Sequence, residues 1–123
     1  MIKKKFAIIG DPISHSLSPT MHNYWFKKYN IDAEYQLLNV SADQINSVIK
    51  KIKKKEIEGV NVTLPYKRAV IPFLSKTIND ANETHSVNTI LLDSKNDVVG
   101  ENTDVFGFQA AYLKSFSIDD KKN

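Results

Sequence analysis

Short apolar runs alternate along this chain with stretches whose apolar residues recur at helical spacing, and each run is closed by glycine, proline or small polar residues. Phe6 to Ile9 is the first such run and is stopped by Gly10, Asp11 and Pro12. Ala33 to Val40 has strand character, and Gly59 to Leu64 is a further buried run ended by Pro65. Runs this short, bounded by breakers, read as strands. Between them, Ser18 and Pro19 form a helix start, because serine can accept from an orphan amide and proline suits the first helical position. That helix is predicted to reach Tyr29. Ser41 with Gln44 resembles a capping box, after which Ile45, Val48, Ile49 and Ile52 mark one apolar face and the lysines fall opposite. Strand and helix in turn predict an α/β domain: a three-layer sandwich with a mostly parallel sheet and helices on both faces.

Past Lys67 the sequence suggests a helical stretch interrupted at Pro72. Val87 to Leu92 and Asp97 to Gly100 flank Ser94, Lys95 and Asn96, which predicts a hairpin that adds an antiparallel strand. Asn102, Thr103 and Asp104 then precede a helix over Val105 to Phe116, followed by the polar SIDDKKN. The expected division is one domain over 1–103, with a connector helix and polar tail over 104–123. Ligands of such sheets bind beyond the carboxyl ends of the strands. The polar segments SHSLS, TLPYK and NTD all fall at or near such ends and are expected to converge on one cleft.

Composition narrows the function classes. The 123 residues, 41% hydrophobic and 25% charged, suit one soluble core that folds alone. The net charge of +3 comes largely from lysine runs at Lys3 to Lys5 and Lys50 to Lys55. No aromatic is interleaved with them for base stacking, so they read as solvated faces rather than a nucleic-acid or membrane surface. Cysteine is absent, which removes thiolate chemistry and cysteine-ligated metals. His15, His22 and His85 lack metal-ligand spacing, so no metal is expected. The apolar start is too short for a signal peptide or membrane span, and a cytoplasmic location is the default.

Taken one at a time, the polar candidates have ordinary explanations. Ser18 can be only an N-cap, Ser16 a turn residue and Thr63 a β-branched strand residue. Asn88 can simply satisfy backbone, Lys67 can be a solvated surface lysine, and Asp104 can cap a helix.

Together, however, GDPISHSLSPTMHN, GVNVTLPYK, SVNTI and GENTDVFGF occur in an order that resembles the shikimate dehydrogenase family over nearly the whole chain. The resemblance implies the substrate-binding domain of an enzyme that reversibly reduces 3-dehydroshikimate to shikimate with NADPH. It implies that Ser16 and Ser18 hydrogen-bond the shikimate carboxylate, helped by the helix start. Thr63, Asn88 and Asp104 are implied to bind ring hydroxyls, and Lys67 with Asp104 to form the catalytic pair. A quinate/shikimate dehydrogenase domain and a non-catalytic shikimate-binding module are the alternatives.

Departures from the family pattern carry expectations of their own. Gly10, Gly59, Gly100 and Gly107 are too scattered for a G-x-G-x-x-G phosphate turn, so NADP is expected on a separate or covalently linked nucleotide-binding domain. This chain alone is then expected to bind substrate without turnover. Self-association into a homodimer through surface that the other domain would cover is a further expectation. Before VNT the family carries small residues, whereas His85 and Ser86 stand here, a difference that bears on packing beside Asn88.

Overall fold

The computed structural model describes residues 4–12 and 18–102, without the side chain of Ser18. In chain order the elements are β1 (Lys4–Gly10), α1 (Ser18–Lys28), β2 (Ala33–Asn39), a short 3-10 turn (Ala42–Gln44) entering α2 (Ile45–Lys53), and β3 (Gly59–Val62). A second 3-10 turn (Ile71–Phe73), β4 (Lys76–Ile78), α3 (Asp80–Thr84), β5 (Thr89–Leu92) and β6 (Val98–Glu101) complete it. The expected helix over 105–116 and the tail over 104–123 lie outside the described residues.

The strands form one six-stranded sheet in the order β2-β1-β3-β5-β6-β4. β1 pairs in parallel with β2 and β3, and β4 with β6, while β5 runs antiparallel to both β3 and β6. The expected mostly parallel sheet with an antiparallel strand is therefore present. From β1 the chain steps one way to β2, then returns across β1 to β3. Crossovers of one hand taken in opposite directions put their helices on opposite faces. The side chains agree: Phe6 and Ile8 pack with Phe26 of α1, whereas Ala7 and Ile9 pack with Ile45, Val48, Ile49 and Ile52 of α2.

The local signals explain most of these elements. Ser41 and Gln44 close the capping box reciprocally, with the Ser41 N–H donating to Gln44 Oε1 at 2.8 Å. The α2 stripe is buried as its spacing predicts, and its lysines are exposed. The hairpin between β5 and β6 turns on Asp93, whose carboxylate accepts from the Lys95 and Asp97 amides at 2.9 Å each. Gly59 and Gly100 stand where neighbouring side chains approach closely. A Cβ on Gly59 would stand 2.2 Å from Leu91 Cδ2, and one on Gly100 would stand 2.5 Å from Leu74 Cδ1.

One expectation is overturned. Instead of a helix interrupted at Pro72, the chain around Lys67 makes one four-residue turn, the Val70 amide donating to the Tyr66 carbonyl. Three-residue turns then run through Pro72, with the Ile71, Phe73 and Leu74 amides donating to the Arg68, Val70 and Ile71 carbonyls. Proline lacks the amide an α-helix needs at that place. Burial of Val70, 0% exposed, holds the segment against the sheet. β4 and α3 follow, neither of which the sequence pattern disclosed.

Candidate functional site

The strand order reverses between β1 and β3: β1 is followed by a step outward to β2, while the chain after β3 moves toward the opposite edge. In an open α/β sheet the loops leaving two such strands diverge, and a crevice opens between them. Gly10 ends β1 and Thr63 follows β3. Because β5 runs antiparallel to β3, its beginning lies at that same edge, and so does the end of β6. Topology alone thus collects Asp11, Thr63, Asn88 and Asn102 along one edge of the sheet.

Backbone bonds tie these segments together. The Thr63 amide donates to the Ile9 carbonyl at 3.0 Å, and the Asp11 amide to the Leu64 carbonyl at 3.3 Å. The Asp11–Pro12 and Leu64–Pro65 peptides are both cis. The Val62 amide donates to the Asn88 carbonyl at 2.9 Å, and the Asn88 amide to the Glu101 carbonyl at 3.0 Å.

Lys67 is positioned from both sides. Before it, Tyr66 is buried and its hydroxyl donates to the Val40 carbonyl at 2.7 Å. Burial raises the Tyr66 pKa, with Asp11 and Asp43 adding to the effect, so this phenol remains a donor at neutral pH. After it, the Lys67 carbonyl accepts from the Val87 amide at 2.8 Å, one residue before Asn88. Lys67 itself is half-buried, as are Thr63 and Asn88. Among the described residues, no carboxylate lies within ion-pair distance of its ammonium.

Of the six residues singled out in the sequence, Thr63, Lys67 and Asn88 are therefore brought to one edge. Ser16 and Asp104 lie outside the described residues. Ser18 opens α1, whose N-terminus follows the loop leaving β1. Sequence reasoning passed over Tyr35, Asn61 and Thr89, which lie beside Asn88 on the α1 face. The Tyr35 hydroxyl donates to Asn61 Oδ1 at 2.6 Å, and the Thr89 hydroxyl to Asn88 Oδ1 at 3.0 Å. The signal available was Asn61 itself, a polar residue set in the apolar GVNV strand.

The family model described as the shikimate dehydrogenase substrate binding domain matches residues 8–90. The chain belongs to this family. A shikimate dehydrogenase (NADP(+)) from Pelagibacter ubique is 44% identical over 114 residues, covering 93% of this chain and 43% of that protein. A shikimate 5-dehydrogenase from Listeria monocytogenes, solved in complex with shikimate and NAD, superposes with a TM-score of 0.77 at 32% identity. It covers 95% of this chain and 40% of its own. The enzyme from Thermus thermophilus, in complex with NADP(H) and shikimate, gives a TM-score of 0.75 at 32% identity, covering 94% and 43%. The chain thus spans about two fifths of the length of the relatives it matches.

As a shikimate dehydrogenase substrate-binding domain, the chain has its three described candidates at the switch point of its sheet. Gly59 and Gly100 are strand residues closed over by leucine and valine side chains, and no glycine among the described residues has positive φ. Among the described residues no helix is long and apolar enough to cross a membrane.

Proposed function

We propose that this chain is the substrate-binding half of an NADP-linked shikimate dehydrogenase, and that its task is to hold shikimate or 3-dehydroshikimate and to manage the proton at the reacting oxygen. The observation that carries the reading is the stapling of Thr63, Lys67 and Asn88 to one edge of the sheet, at the point where the strand order reverses. Thr63, Asn88 and Asp104 address the ring hydroxyls, a task for short side chains with fixed donors and acceptors. Ser16 and Ser18 address the carboxylate beside the start of α1, where backbone amides and the helix dipole favour an anion.

When bound to its own domain, NADPH supplies the hydride. Every group of this chain acts on oxygen. As the ketone is reduced, negative charge gathers on its oxygen, and the Lys67 ammonium meets that charge and delivers a proton. Asp104 pairs with Lys67 and keeps the ammonium directed at the reacting carbon's oxygen. In oxidation the same lysine accepts the proton as the hydroxyl becomes a ketone. A nucleotide-binding domain closing over this edge would cover Leu64, which stands 72% exposed in the loop after β3. A cytoplasmic location and a homodimer belong to the same reading.

Calorimetric titration of the chain with shikimate, with reduction of 3-dehydroshikimate by NADPH assayed on the same preparation, tests the proposal. Binding is expected. In a form joined to a family nucleotide-binding domain, Lys67→Ala is expected to lower kcat by about 10²- to 10⁴-fold, the usual range for a lost general acid. Shikimate affinity should change far less. Near-normal turnover in that variant would overturn the role of Lys67, and absence of shikimate binding would overturn the substrate.

A further inference from the structure

We propose that Thr89 is a positioning residue that helps to fix the side-chain amide of Asn88 with its oxygen toward Thr89, so that Asn88 presents its NH2 as a hydrogen-bond donor to its ligand. The inference rests on the shikimate reading for the identity of that ligand, but the orientation follows from the hydrogen bonds alone.

Two acceptor-only groups determine the directions. The backbone carbonyl of Asn88 receives the Val62 amide at 2.9 Å and Asn61 Nδ2 at 3.2 Å. A carbonyl cannot donate, so Asn61 must turn its NH2 toward it. That leaves Asn61 Oδ1 facing the Tyr35 hydroxyl at 2.6 Å, which must donate. The same Asn61 Nδ2 reaches Thr89 Oγ1 at 3.4 Å, so the Thr89 proton is directed to Asn88 Oδ1 at 3.0 Å. With its oxygen engaged by Thr89, Asn88 presents Nδ2 to Asn102 Oδ1 at 3.4 Å.

The other end gives the same answer independently. The Thr84 hydroxyl donates to the Asp80 carbonyl at 2.9 Å, again an acceptor only. Its oxygen therefore accepts from Asn102 Nδ2 at 3.3 Å, which turns Asn102 Oδ1 toward Asn88. Donors thus point one way along the whole line from Tyr35 through Asn61, Thr89, Asn88 and Asn102 to Thr84. Reversing any one amide would set oxygen against oxygen.

Thr89 is the link that can be tested cleanly. It is 1% exposed, so it cannot itself meet a ligand from solvent. Valine has its shape without its proton. In Thr89→Val, Asn88 Oδ1 loses the Thr89 proton that opposes rotation of the amide, so a ligand oxygen meets a less firmly held NH2.

Shikimate affinity is expected to fall about 3- to 10-fold in Thr89→Val, the range for one misdirected hydrogen bond, and to be retained in Thr89→Ser, which keeps the hydroxyl. In an Asn88→Ala background the Val change is expected to have no further effect on affinity; an equal loss in both backgrounds overturns the inference. The ligand-free chain supplies a separate readout. The Asn88 side-chain NH2 signals, identified by their absence in Asn88→Ala, are expected at dispersed chemical shifts in wild type and Thr89→Ser, and to move toward random-coil shifts in Thr89→Val. Unchanged signals in Thr89→Val overturn the inference. Altered signals in a chain that does not bind shikimate uphold Thr89's action on Asn88 and overturn only the substrate. If Thr89→Val does not fold, Thr89→Ala carries both readouts.

Discussion

The face of the sheet under α2 is almost wholly aliphatic, whereas the face under α1 mixes aromatic rings with hydrogen-bonded amides and hydroxyls. On the first, Ala7, Ile9, Val60, Val62 and Ile90 of the strands meet Ile45, Val48, Ile49 and Ile52 of the helix. On the second, Phe6, Phe26 and Tyr35 form the cluster, and a buried His22 stacks on Tyr35, ring centroids 4.2 Å apart. Asn23 of α1 also grips the edge strand, accepting from the Tyr35 amide at 2.8 Å and donating to its carbonyl at 3.1 Å. Burial of apolar surface is non-directional and drives folding, while a buried polar group must find its partner or cost free energy. The α2 face is therefore where stability is concentrated. The α1 face spends part of its volume on a polar line that runs to the candidate site.

The largest expected effect tests that division. Ile52 is 0% exposed in the aliphatic layer. Ile52→Ala is expected to lower unfolding free energy by about 2–5 kcal/mol, the usual range for a buried isoleucine truncated to alanine, measured from urea midpoints. Shikimate affinity of the folded fraction should stay unchanged. A variant that keeps its stability but loses affinity would mean that the α2 face, not the α1 face, supports the site.

A smaller effect is expected from His22 on the other face. Burial pushes its pKa from the ordinary 6.5 down to about 4. The unfolded chain therefore takes up a proton near pH 6.5 that the folded chain refuses until about 4. The stability owed to neutral His22 is complete above pH 6.5 and is lost as pH falls through that window. The loss amounts to up to roughly 3 kcal/mol. His22→Phe keeps a ring on Tyr35 and removes the titration. The difference in unfolding free energy between wild type and variant should move against wild type as the solution is acidified. A pH-independent difference would show that His22 is not held neutral.

The same contrast governs what the sequence disclosed. The α2 face was legible because Ile45, Val48, Ile49 and Ile52 stand at helical spacing among lysines. The strand ends were legible because Gly10 and Pro65 stop the apolar runs beside them. Thr63, Lys67 and Asn88 were found through family resemblance and not through any local pattern. The polar line was not legible, since Tyr35, Asn61 and Thr89 are distant in sequence and meet only when the four strands β2, β1, β3 and β5 pair. β4 escaped for a related reason: Lys76–Ile78 is a strand because Val99–Glu101 lies beside it, not because of its own composition. The helix expected after Lys67 failed because Val70 is drawn into the core and Pro72 interrupts the amide ladder.

The smallest expected effect concerns the approach to Asn88, through His85 and Ser86. His85 caps α3 with φ 52° and ψ 37°, in the left-handed region, and its amide donates to the Ala81 carbonyl at 3.0 Å. A side chain with a Cβ costs roughly 1–2 kcal/mol in that conformation, and glycine avoids the cost at the expense of greater freedom in the unfolded chain. The imidazole is exposed, so little packing is lost when it is removed. His85→Gly is therefore expected to raise unfolding free energy by about 0.5–1 kcal/mol, the net of those opposing terms, read from urea midpoints. Destabilisation instead would mean that the histidine holds the turn through its side chain, and that the segment carrying Ser86 and Val87 toward Asn88 depends on it. In that case the contrast between a stabilising face and a site-bearing face would need a third contributor, the α3 turn at the end of the polar line.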